Sequence, residues 1–139
     1  MADAPERKLQ CVIVTPETTV LDQPVDFVAV PLYDGELGVL PGRSPVVARL
    51  GYGELRTTTG SETARFFIDG GFLQVRGNVV SVLTSRAISA ERVDPAAARS
   101  DLQKANEQVP TTPEGFEAKI ISLSRARGQL EVARRAGKS

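Results

Sequence analysis

The sequence predicts an all-β N-terminal sandwich of about ten short strands followed by a C-terminal α-helical hairpin. Two observations carry this. From Leu9 to Ile88 the segments are short, rich in Val, Ile, Phe and Thr, and punctuated by Gly, Pro or Asp. After Ser89 that punctuated pattern stops, and apolar residues recur at helical steps behind an Asp-Pro start. The 139 residues suffice for a core stable without staples. The expected division is a β-sandwich over residues 1–88 and a helix-turn-helix unit over 89–139.

In chain order, strands are expected in Val25 to Val30, Ala64 to Ile68, Phe72 to Arg76 and Val79 to Leu83. Gly77-Asn78 reads as a hairpin turn, because both residue types tolerate positive φ. Gly51-Tyr52-Gly53 also reads as a turn. Between the strands stands Gly35-Glu36-Leu37-Gly38-Val39-Leu40-Pro41-Gly42-Arg43-Ser44-Pro45. Its glycines and prolines forbid a helix, so it is expected to be a shaped surface loop, the kind of segment that carries recognition.

The first helix starts with Asp94 as N-cap and Pro95 at the first helical position. Ala98, Leu102, Ala105 and Val109 form its apolar stripe, and Pro110 to Pro113 end it. The second begins near Thr112 to Glu114 and places Phe116, Ile120, Leu123, Ala126, Leu130 and Ala133 on one face. Gly115 and Gly128 weaken it locally, by about 1 kcal/mol each relative to Ala. With few large apolar residues on the seam, the hairpin is expected to be marginally held. From Glu114 onward three acids face six bases, namely Lys119, Arg125, Arg127, Arg134, Arg135 and Lys138. The helix dipole explains the terminal ones; Arg125 and Arg127 lie further in and suit an acidic protein partner.

Seventeen basic and seventeen acidic side chains cancel, which removes the electrostatic case for nucleic acid. No apolar run approaches the roughly 20 residues that span a bilayer, so direct membrane insertion is not expected and any membrane association must come through another subunit. The single Cys11 excludes an internal disulfide and reads as a small core residue. With no histidine, no Cys pair and no nucleophile motif, the chain offers neither a metal site nor a catalytic constellation. No cofactor is implied. Asp34 with Glu36, and Asp22 with Asp26, read as turn formers before they read as paired catalytic carboxylates.

Several segments taken together resemble the epsilon subunit of bacterial and chloroplast F-type ATP synthase: Gly35 to Gly42, Ser44-Pro45, Leu50-Gly51-Tyr52-Gly53-Glu54-Leu55, Gly70-Gly71-Phe72-Leu73-Gln74-Val75, Asn78-Val79-Val80 and Ala90-Glu91-Arg92-Val93-Asp94. The resemblance implies a non-catalytic rotor component at the cytoplasmic face of the bacterial membrane. Its sandwich would bind the gamma subunit and sit on the membrane c-ring, carrying torque to the catalytic alpha and beta subunits. By position Asp34, Glu36, Pro41, Gly42 and Arg43 would meet the ring. The hairpin would lie folded on the sandwich or extend along gamma and block ATP hydrolysis, with Lys119, Arg125, Arg127, Arg134 and Arg135 as the contacts to beta and gamma.

Two departures from that family are visible. Most relatives carry histidine where this chain has Arg43, so the charge there is fixed across physiological pH. Some relatives bind ATP through Ile/Leu-Asp-x-x-Arg-Ala, whereas this chain reads Val93-Asp94-Pro95-Ala96-Ala97-Ala98, with Ala97 in the arginine position. Arg99, two residues late, points about 200 degrees away on a helix. An alternative reading, a nucleotide-sensing module whose hairpin binds ATP, would need that motif. A third, a small β-sandwich enzyme, would depend on Asp34 or Glu36.

Overall fold

Strict alternation along β1 (Leu9–Val14) sets the architecture, because Leu9, Cys11 and Ile13 are wholly buried while Gln10, Val12 and Val14 stay half-exposed. The structure, a computed structural model, describes residues 8–137. Lys138 and the polar stretch Met1 to Arg7 lie outside the described residues. After β1 come β2 (Thr19–Val25), β3 (Phe27–Leu32), β4 (Gly35–Val39), β5 (Val46–Thr59), β6 (Glu62–Arg76), β7 (Val79–Leu83) and β8 (Ala87–Ser89). A single 3-10 turn, Ala90–Arg92, leads into α1 (Pro95–Glu107) and α2 (Pro113–Arg135).

The strands hydrogen-bond in the order β2-β1-β7-β6-β5-β3-β4, with β8 also on β6. Every pairing is antiparallel except β1 with β7. This one sheet folds over on itself because β5 and β6 each pass through both layers. Residues 46–50 and 71–76 join β7, β1 and β2, whereas residues 52–59 and 62–69 join β3, β4 and β8. Leu9, Cys11, Ile13, Leu73, Val75 and Val82 from one layer then pack on Val28, Val30, Val39, Leu55 and Ile68 from the other. β6, 15 residues long, spans what the sequence reads as two short strands, and β5 runs unbroken for 14 residues, so about ten becomes eight among the described residues.

The bend between layers needs glycine. Gly71 has φ +110°, and a Cβ there would lie 1.9 Å from the carbonyl oxygen of Leu83. Gly51-Tyr52-Gly53 is not the turn that was expected: it runs through the middle of β5, paired with β6 on both sides. The Gly77-Asn78 hairpin is as expected, with φ of 58° and 64°. Asp22 and Asp26 serve the backbone and neighbouring strands: Asp22 accepts from the Gln10 amide at 2.6 Å and Asp26 from the Gly60 N–H at 2.7 Å. That Gly60 bond, then Lys8 at 3.1 Å, holds the Asp26 carboxyl below its ordinary range.

The hairpin lies folded on the outer face of the second layer. Asp94 caps α1, accepting from the N–H groups of Ala96 and Ala97 at 3.0 and 3.3 Å, and Thr112 caps α2 through Gly115 N–H at 3.0 Å. The face that α2 buries matches the expected one only in its C-terminal half, where Ala126 and Ala133 are buried. Phe116 and Ile120 are each 57 % exposed, while Ala126, Gly128, Val132 and Ala133 are buried. The small residues win because they let the helix axis approach the sheet: a Cβ on Gly128 would stand 2.4 Å from the Tyr52 carbonyl oxygen. Val109, expected in the stripe of α1, lies beyond its end and is 85 % exposed.

Candidate functional site

Three surface regions stand out: the two ends of β4 and the contact between α2 and the sheet, which hold residues singled out by the sequence, and the outer face of the first layer. The segment 35–45 is half strand and half loop, which corrects the expectation of one shaped loop. Gly35–Val39 alternates as an edge strand, with Val39 buried and Leu37 half-buried, and pairs with β3. Only residues 40–45 are loop. There Arg43 N–H donates to the Leu40 carbonyl at 3.3 Å, and Gly42 N–H donates to the Asn78 side-chain oxygen at 2.8 Å. Two turns thus brace each other at one end of the sandwich, exposing Leu40, Gly42 and Arg43 with Pro41 half-buried.

This splits the five residues expected to act together. Pro41, Gly42 and Arg43 stand at the braced end. Asp34 belongs to the turn between β3 and β4, on the far side of a strand that separates it from Pro41 by roughly 20 Å at about 3.3 Å per residue. Glu36 lies near Asp34 and is tied sideways, accepting from Arg56 Nη1 at 3.2 Å. Beside Asp34, Tyr33 carries the Arg49 guanidinium 4.1 Å from its ring centre.

The outer face of the first layer holds a region that sequence reasoning missed. Cross-strand register aligns Arg49, Phe72, Leu83 and Val14 in one row and Val47, Gln74, Ser81 and Val12 in the next. The intervening row, Leu73, Val82 and Ile13, points inward and is fully buried. Phe72, Leu83 and Val47 are 61, 50 and 74 % exposed. Beside them Val14, Thr15, Pro16, Leu83, Thr84 and Ser85 line a shallow hollow of about 380 Å³. The available signal was parity: Phe72 is apolar on the same parity as Gln74 and Arg76, the polar side of β6.

At the third region the two layers of charge meet. Asp69 and Glu54 occupy outward positions on β6 and β5, yet both are buried beneath α2. Arg125 Nε donates to Asp69 Oδ1 at 2.9 Å, and Arg135 Nη1 to Glu54 Oε1 at 3.0 Å. Of the other expected contact residues, Lys119 Nζ donates to the carbonyls of Gln108 at 2.8 Å and Asn106 at 3.3 Å, closing the end of α1. Arg134 pairs with Glu131 on its own helix. Arg127 is exposed and has no charged partner among the described residues.

The degenerate nucleotide segment has local duties. Val93 is buried with Phe67, Ala90, Val132 and Ala133, Asp94 is the α1 cap, Ala98 is buried and Ala97 exposed. Between α1 and α2 a cavity of about 200 Å³ is lined by Asp101, Lys104, Ala105, Gln108, Ser122, Arg125 and Ala126. Among the described residues no helix is long and apolar enough to cross a membrane.

Residues 8–90 match the family model of the ATP synthase Delta/Epsilon chain β-sandwich domain. The ATP synthase epsilon chain of Rhodopirellula baltica is 50 % identical over 126 residues, 91 % of this chain and 98 % of that one. That of Carboxydothermus hydrogenoformans is 39 % identical over 102 residues, 73 % of this chain and 76 % of its own. In fold, the chain is similar to one in the mitochondrial ATP synthase of Euglena gracilis, at a TM-score of 0.79 and 24 % identity, covering 95 % of this chain and 82 % of the other. It is also similar to a chain of the central stalk and c-ring structure from Tetrahymena thermophila, at 0.72 and 18 % identity, covering 94 and 99 %.

Proposed function

The chain belongs to the ATP synthase epsilon-chain family, a subunit of the synthase and not its catalytic chain, and we propose that it joins the rotating gamma subunit to the membrane c-ring. In this reading residues 1–88 form the joint and residues 89–139 a regulatory hairpin that restrains ATP hydrolysis by the alpha and beta subunits. The chain works at the cytoplasmic face of the bacterial membrane, held there by its partners. The observation that carries the reading is the exposed apolar patch of Val47, Phe72 and Leu83 on two neighbouring outward rows. A strand face this apolar, set against fully buried inward neighbours, marks a surface that another protein covers. On this ground we assign gamma to the outer face of the first layer. The braced end with Pro41, Gly42 and Arg43 is assigned to the ring, where a stiff tip has little entropy left to lose on contact. Asp34 and Glu36, at the other end of β4, then face a different part of the assembly from Arg43.

Co-purification of the full chain with gamma tests this. The unaltered chain is expected to bind, Phe72→Glu to weaken binding at least tenfold, and Phe116→Glu, on the exposed side of the hairpin, to leave it unchanged. Because Phe72 already faces solvent, its substitution leaves the core intact. Failure of the unaltered chain to bind gamma, or equal binding by Phe72→Glu, would overturn the assignment.

A further inference from the structure

Helix α2 sits on the sheet through few large apolar groups: its buried contacts are Ala126, Gly128, Val132 and Ala133 against Phe67, Tyr52 and Ile88. Under it lie two buried carboxylates, and buried acids are rare unless paired. The two are not alike. Glu54 accepts from Arg65 Nη1 at 2.9 Å and Arg56 Nη1 at 3.3 Å, both carried by the sheet itself, so its charge is matched whether or not the helix is present. Its helix partner, Arg135, is likewise held by Glu131 one turn back, Nε to Oε2 at 3.0 Å. The Glu54–Arg135 link is therefore replaceable from both ends.

Asp69 has no such reserve. Its other cation, Arg86, stands at 3.9 Å, outside hydrogen-bond reach, and is half-exposed. Its backbone is fixed separately: the Asp69 N–H meets Thr84 Oγ1 at 3.2 Å and the Arg86 carbonyl at 3.1 Å, and its carbonyl accepts from Ser85 Oγ at 3.0 Å. The carboxylate is thus pinned in place while, among the described residues, Arg125 alone hydrogen-bonds it and Arg86 adds a longer ion pair. Arg125 in turn pairs with no acid of its own helix among the described residues; besides Asp69 it meets the Tyr52 ring at 5.9 Å. We propose that Asp69–Arg125 is the clasp that fixes the hairpin on the sandwich, and that Glu54–Arg135 is a dispensable second contact. An acidic segment of a partner that takes the Arg125 guanidinium would then compete directly with docking. The inference rests on the reading of the hairpin as an element able to leave the sheet.

Pulsed electron-spin distance measurements on the full chain test it, with thiol-reactive labels on Gln103→Cys in α1 and Thr63→Cys in β6, both exposed positions. The native Cys11 thiol does not compete for label, because burial pushes its pKa up to about 12. Arg125→Gln and Asp69→Asn are each expected to raise the share of a second, longer distance at least fivefold. The double variant should gain no more than either single one, since both remove the same link. Arg135→Gln and Arg127→Gln should change the share less than twofold. Should Asp69→Asn disturb the Thr84 contacts, Arg125→Gln decides alone. Release by Arg135→Gln equal to that by Arg125→Gln would overturn the clasp while leaving a movable hairpin. A single unchanged distance in every variant would overturn the clasp and the movable hairpin together.

Discussion

Gly128 shows how one residue reverses a local rule. Within an isolated helix it costs about 1 kcal/mol relative to Ala, so Gly128→Ala would be expected to stabilise. Against the sheet the sign changes, because the new Cβ would lie 2.4 Å from the Tyr52 carbonyl oxygen and 2.9 Å from its carbon, and backbone cannot step aside as a side chain can. Overpacking of this kind costs about 1–3 kcal/mol. Gly128→Ala is therefore expected to lower the urea midpoint despite its better helix propensity; a midpoint at or above that of the parent would show that α2 can ride away from β5 at no cost. Nothing in the run Arg125 to Leu130 announces this, since a close approach is a property of two segments and only one of them is local. Phe72 is the opposite case. Its exposure was readable from parity with Gln74 and Arg76, but an aromatic after Gly70-Gly71 reads more readily as core.

Among the elements, the helices were the most legible because their ends are chemical. Asp94-Pro95 and Thr112-Pro113 combine a side-chain acceptor with a residue that needs no donor, and both starts fall where expected. The C-terminal end of α2 carries its own test. Hydrogen bonds from Arg134 and then Arg135 pull the Glu131 carboxyl down to about 2. A depressed folded-state value means the pairing stabilises the helix fully above about pH 4.5, the ordinary value, and is lost as pH falls through about 2. The Glu131 carboxyl carbon, followed by NMR, should therefore titrate near 2, and Glu131→Gln should flatten the loss of helix across that acid range. A titration midpoint near 4.5 would mean that the two guanidiniums do not hold it in solution.

α1 bears on the nucleotide question. Asp94 is already committed to two backbone N–H groups, Ala97 offers no guanidinium, and the cavity between the helices, about 200 Å³ with Asp101 on its wall, is below the 300–1,000 Å³ of usual ligand pockets. Calorimetric titration of the full chain with ATP should show weak or no heat of binding; a tight, saturable isotherm would revive the nucleotide-sensing alternative. The strands were less legible than the helices. Gly35–Val39 looked like loop because it carries two glycines and runs into Pro41-Gly42, yet an edge strand tolerates glycine, and Leu37 and Val39 keep the parity.

Across the whole molecule, the two layers divide the work. The first layer turns Val47, Phe72 and Leu83 outward with no cover from the described residues, while the second turns Glu54, Phe67 and Asp69 outward under α2. A single folded sheet can do this because β5 and β6 belong to both layers and reverse which neighbours they meet at Gly71. The joint proposed for gamma and the seat of the hairpin are therefore on opposite outer faces, so binding gamma on the first does not require the hairpin to leave the second. The five residues expected to meet the ring were grouped by closeness in sequence. The strand between them extends that closeness into distance, and only Pro41, Gly42 and Arg43 remain at one end.

What the sequence determined by itself is whatever depends on neighbours a few residues apart: the switch from strands to helices after Ser89, the caps, the Gly77-Asn78 turn and the burial of Cys11. Caps, turns and parity are short-range chemistry and are written in order. The tertiary structure alone decided which apolar residues face water, why Gly128 cannot carry a side chain, and that Asp69 and Arg125, 56 positions apart, complete each other. Those outcomes depend on which surfaces meet once the sheet folds over, and long-range packing leaves no local pattern to read.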